Sequence, residues 1–99
     1  MTDGERIKEM RIRRGMTLAE VGKRLGISRQ AMWNMENRDN IGMAVLRQVA
    51  KVLDTHEAYL CGLLSEEQAL DLRDAERIAD AYRKASPETK AIIRKILEV

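Results

Sequence analysis

Two glycines four residues apart, Gly22 and Gly26, constrain this chain more than any other feature, because of the run they sit in, Thr17-Leu18-Ala19-Glu20-Val21-Gly22-Lys23-Arg24-Leu25-Gly26-Ile27-Ser28. Thr17 with Glu20 three residues later forms a capping box that opens a helix. Leu18, Val21, Gly22 and Leu25 then fall on one face of it. Gly26 suits the positive φ of a tight stop, and Ser28 caps a second helix almost at once. That helix turns Met32 and Met35 inward and leaves Arg29, Gln30, Trp33 and Asn34 largely on the other side. Gly22 has no side chain to block a close crossing, so the spacing predicts two short helices packed across one tight turn.

The rest of the chain also reads as helix, since no stretch alternates apolar and polar residues as a half-buried strand would. A first helix begins at Thr2 or Asp3 and runs to about Arg14, with Ile7 and Met10 facing a core and Gly15 as its stop. Asn37 to Gly42 is rich in turn formers and predicts a loop. Met43, Leu46, Val49, Ala50 and Leu53 form the apolar stripe of a fourth helix, and Glu57 to Leu64 a short fifth. Ser65 and Gln68 make a second capping box for a helix reaching about Ala85, striped by Ala75, Ile78, Ala79 and Tyr82. Ser86-Pro87 restarts a last helix through Ile92, Ile93, Ile96 and Leu97. With 99 residues and an apolar fraction of 44%, the chain makes one small domain with a short appendage. Six Met and no Phe predict a core filled by flexible, unbranched side chains.

Several classes of function lack raw material. Cys61 is the only cysteine and His56 the only histidine, so neither an intramolecular disulfide nor a metal cluster is expected. His56, Tyr59 and Cys61 read as helix cap, core and core. No paired carboxylates, nucleophile with a base, or phosphate-cradling glycine loop is present, so no enzymatic activity and no cofactor are expected. No apolar run approaches the roughly 18 residues of a membrane helix and none follows the amino-terminal charges, which predicts a cytoplasmic protein. The net charge of +2 hides an asymmetry: residues 1–38 carry nine Lys and Arg against five acids, a local +4, while residues 65–99 carry seven bases against eight acids. A basic first third points to a polyanionic partner.

The order from Thr17 to Asn37 resembles the DNA-binding helix-turn-helix of the Cro/CI (XRE) family of phage and bacterial repressors. The likeness runs from about Gly4 to Leu64 and rests on the Gly15-Met16-Thr17 entry, the Leu25-Gly26-Ile27-Ser28 turn, Glu36-Asn37 and the later Leu46, Ala50 and Leu53. It implies an all-α fold: a five-helix, lambda-repressor-like DNA-binding domain over residues 1–64, with a two-helix extension over 65–99. Two positions depart from the family pattern. Leu18 stands where the family usually has a Gln that holds a DNA phosphate, and the loop after Asn37 lacks the frequent Gly and Pro.

The resemblance implies that the third helix enters the major groove of double-stranded DNA. Arg29 and Gln30 are the leading base readers, since Arg matches guanine O6 and N7 and Gln matches the donor and acceptor edge of adenine. Asn34 reaches a base or a phosphate. Trp33 either packs on a sugar or thymine methyl or folds back over the helices. Ser28, Asn37, Arg38 and Lys23 are the expected phosphate contacts, with Arg24 a solvated charge. Arg11 and Glu36 occupy positions of a family ion pair that fixes the angle of the third helix. The apolar stripes of residues 65–99, with Ile78, Tyr82, Ile92, Ile93, Ile96 and Leu97, predict a homodimerisation arm. The expected function is repression of transcription from an inverted-repeat operator. The other reading is an antitoxin or adaptor whose carboxy-terminal helices hold another protein.

Overall fold

The computed structural model describes residues 1–98, so Val99, the last residue of the 65–99 segment, lies outside the described residues. Seven helices follow one another, with no strand among the described residues: α1 (Asp3–Arg13), α2 (Leu18–Leu25), α3 (Arg29–Glu36), α4 (Met43–Val52), α5 (Glu57–Leu60), α6 (Glu66–Lys84) and α7 (Pro87–Leu97). Local chemistry sets most of their amino ends. Thr2 and Glu5, Thr17 and Glu20, and Ser65 and Gln68 form reciprocal capping boxes, while Ser28 and Ser86 accept from the amides of Ala31 and Thr89. His56 caps α5 through Nδ1, which accepts the Ala58 amide at 3.0 Å.

α1 to α5 enclose one core of Ile7, Met10, Val21, Met32, Leu46, Val49, Leu53 and Leu60, all out of solvent. The methionine-filled core expected from composition is corrected here. Only Met10 and Met32 are fully buried, Met16 and Met35 pack at its margin, and Met1 and Met43 are exposed, so branched aliphatics make up most of the interior. Met43 therefore leaves the buried stripe of α4, as it stands at the solvent-facing first position of the helix. Tyr59 and Cys61 pack against the core from its edge.

The fifth helix is also shorter than expected, ending at Leu60 rather than Leu64. The amides of Leu63 and Leu64 both donate to the Ala58 carbonyl, and Arg6 Nη1 donates to the Leu60 carbonyl at 3.3 Å. These bonds use the carbonyls that a continuing helix would need.

The two-helix turn follows the glycines. Gly26 sits at φ +74°, and the Ile27 amide donates to the Gly22 carbonyl at 2.8 Å. A Cβ on Gly22 would lie 2.9 Å from the Ile27 carbonyl oxygen, closer than side chains pack. A second close approach was not foreseen. Gly4 lies under the end of α3, where a Cβ would stand 2.7 Å from the Arg38 carbonyl oxygen. The Gly4 and Asp3 amides donate to the carbonyls of Arg38 and Asp39, and Asp3 Oδ2 accepts the Ile41 amide at 2.9 Å. The start of α1 thus holds the loop that leaves α3.

α6 leaves the body at its first turns. Ala69 is fully buried against it, and Arg13 pairs with Glu66, Arg73 with Asp54 at 2.6 Å, and His56 Nε2 with Glu76 at 3.1 Å. Beyond these contacts the α6–α7 hairpin projects. The molecule measures 52 × 25 × 23 Å with a radius of gyration of 16.9 Å, against about 13 Å for a compact chain of 100 residues. No helix is long and apolar enough to cross a membrane among the described residues.

Candidate nucleic-acid interface

α3 has two faces of different chemistry. Met32 and Glu36 are buried and Ala31 and Met35 partly so, which turns Arg29, Gln30, Trp33 and Asn34 outward along one exposed strip. Gln30 Nε2 donates to Asn34 Oδ1 at 3.2 Å, a pair that one helical turn of separation allows and that the sequence reading did not anticipate. The contact restrains both amides while leaving the Gln30 oxygen and the Asn34 nitrogen without a partner among the described residues. Arg29 and Trp33 border a depression shared with Lys8, Leu18 and Asn37. Trp33 is 48% exposed, so its indole rests partly on this seam and presents the remainder to solvent.

The residues expected at the backbone of DNA differ in their freedom. The Ser28 hydroxyl accepts the Ala31 amide at 3.0 Å, and Asn37 Nδ2 donates to the Trp33 carbonyl at 2.9 Å, so both are held in place. Arg38 and Lys23 are exposed and have no side-chain partner among the described residues. Leu18 packs against the core margin.

Arg11 and Glu36 meet in a two-pronged pair, with Nε to Oε2 at 2.6 Å and Nη2 to Oε1 at 3.0 Å. Arg11 Nη1 also donates to the Met16 carbonyl at 3.0 Å. The side chains are 12% and 3% exposed, so the pair ties α1 and the entry of α2 to the last turn of α3 from within the protein. Such a buried pair contributes little net stability, yet it sets one orientation for the helix it holds.

The basic first third is less available than its charge count implied. Arg6 is held by Asp3 and the Leu60 carbonyl, Arg11 by Glu36, Arg13 by Glu9 and Glu66, and Arg14 by the carbonyls of Leu53 and Asp54. The Lys and Arg side chains of this segment with neither an ion pair nor a hydrogen bond among the described residues are Lys8, Lys23, Arg24, Arg29 and Arg38.

An amphipathic helix, presented by a tight two-helix turn with amides and a guanidinium on its open face, defines the DNA-binding helix-turn-helix class. The family model described as helix-turn-helix matches residues 7–60, more than half of the chain, and the chain belongs to that family in its XRE/Cro-type form. Among curated proteins and among solved structures, nothing matches the chain. The domain is a sequence-specific DNA-binding one.

Proposed function

We propose that the protein is a transcriptional repressor that binds an inverted-repeat operator as a homodimer. The observation that carries the reading is the outward strip of α3, whose Arg29, Gln30 and Asn34 offer base-reading groups while Arg11 and Glu36 hold the helix from behind. In this account Arg29 and Gln30 read base edges, Asn34 supports Gln30 or reads beside it, and Trp33 lies against sugar or a thymine methyl. Ser28, Asn37, Arg38 and Lys23 face phosphates.

The hairpin supplies the dimer. Ile78, Ile92, Ile96 and Leu97 remain 60–74% exposed on the single chain, and Tyr82 and Ile93 line an apolar hollow between α6 and α7. Burial of these side chains needs a second surface, and a second copy places two α3 helices on one face of DNA about 34 Å apart. Residues 1–64 then form the DNA-binding unit and 65–99 the pairing arm.

Selection of bound duplexes from a random pool tests the proposal. It predicts enriched inverted repeats with half-site centres roughly 10 base pairs apart. Failure to retain any duplex at low salt overturns the DNA reading and leaves the adaptor role, in which the hairpin face covers another protein.

A further inference from the structure

Between α6 and α7 lies an apolar hollow of about 810 Å³, floored on α6 by Ala75, Ala79 and Ala85 and walled by Ile78, Tyr82 and Ile93. Alanines on the floor let another helix approach closely. The two helices of the hairpin meet where Arg94 Nε donates to the Tyr82 hydroxyl at 2.6 Å. Ile92 and Ile96 stand one turn apart on another edge of α7, exposed and outside the hollow. The link from α6 to α7 is only Ala85 and Ser86, too short to let α7 roll this ridge inward. Hollow and ridge therefore cannot fill each other on one chain, whereas a two-fold axis brings the ridge of each copy to the hollow of the other.

Charge favours the same pairing. α6 carries six acids against four bases, and α7 three bases against one acid. On α6, Asp71 and Asp74 stand four residues before Ala75 and Ile78, so they continue the face of the hollow toward the body. On α7, Arg94 and Lys95 lie in the last turn and Glu88 in the first. Asp71, Asp74 and Lys95 are exposed and have no ion pair among the described residues. Contact of both α3 helices with one face of DNA requires the two bodies side by side, so the arms run parallel and each α7 runs opposite to the other copy's α6. In that sense Arg94 and Lys95 arrive at Asp71 and Asp74. The reverse sense sets the bodies at opposite ends and brings Glu88 to those acids instead.

We propose that the hollow receives α7 of a second copy, so that the dimer forms by mutual insertion of α7 about a two-fold axis, each helix seated on the other copy's α6. The inference rests on the homodimer reading and adds which helix fills which surface and in which direction.

The test is a charge exchange between two full-length variants, Asp71→Lys with Asp74→Lys in one and Arg94→Glu with Lys95→Glu in the other, read by sedimentation and native mass spectrometry at micromolar concentration. All four side chains are exposed, so the fold of the body should persist. Wild type is expected to dimerise. Each variant alone meets like charge at both contacts of its dimer and should self-associate about tenfold or more weakly. Mixed in equal amounts, the two variants meet opposite charge at both contacts and should form the mixed dimer with close to wild-type affinity. The like charges within each variant's own hairpin are the same alone and mixed, so the recovery reads the contact between chains. A monomeric wild type overturns this proposal and the homodimer reading together. A dimeric wild type whose variants pair with themselves as tightly as it does, or fail to recover on mixing, overturns the inserted α7 alone and leaves the homodimer to another surface.

Discussion

At the residue scale, the pair Arg11–Glu36 carries the largest expected effect. Glu36→Ala leaves a mostly buried guanidinium without its carboxylate and is expected to destabilise the fold by about 3–5 kcal/mol. Replacing Arg11 and Glu36 together should cost less than the two single changes added, as a double-mutant cycle in urea would measure; additivity would mean that the residues act separately. Tyr59 gives a pH signature. Burial, aided by Glu9, pushes its hydroxyl above the ordinary value of 10.0. The folded state therefore favours the neutral phenol: its contribution is complete below pH 10.0, the ordinary value, and is lost as pH rises through the higher folded value. Urea midpoints measured on either side of that range should fall with pH, and Tyr59→Phe should flatten the decline.

At the scale of the elements, the two-helix turn depends on one hydrogen atom at Gly22. Gly22→Ala puts a methyl 2.9 Å from a backbone oxygen that belongs to the turn itself, so the helices must part at a cost of about 1–3 kcal/mol. Thermal unfolding checks the loss, and an unchanged melting temperature would show that the crossing has slack. This turn was legible in sequence because its causes are local: Thr17 with Glu20, Gly26, and Ser28 each act within a few residues. The Ser65 and Ser86 starts were legible for the same reason. What sequence left open depends on distant partners. Gly4 under the Arg38 carbonyl and the early end of α5 under Arg6 join residues more than 30 positions apart. Methionine burial misled because composition counts side chains without placing them. Likewise, the net charge of residues 1–38 counts Arg6, Arg11, Arg13 and Arg14 without showing that each is held within the protein. The Gln30–Asn34 contact did carry a local signal, two amides one turn apart on an open helix face.

At the scale of the whole molecule, the elongated shape and the uncovered hairpin bear on association. Ile78→Glu with Ile96→Glu changes side chains exposed on the single chain, so the fold should persist while the proposed dimer is lost. Sedimentation at micromolar concentration compares the two proteins; a wild-type monomer would leave pairing to the DNA or to another surface. Affinity for duplex should fall with salt, with a logarithmic slope of about −4 to −5 per chain if the five Lys and Arg of the first third that are unengaged among the described residues all meet phosphates. A much steeper slope would mean that cations beyond these five also meet phosphates, either from later helices or by opening of the internal pairs of α1.

The central claim is that α3 reads sequence. Its most direct test is the affinity of wild type, Arg29→Ala and Gln30→Ala for a selected operator and for random duplex at one salt concentration. The account predicts that wild type prefers the operator, and that each substitution costs about 1–3 kcal/mol on the operator with little change on random DNA. Equal losses on both duplexes, or a wild type that does not distinguish them, would contradict it.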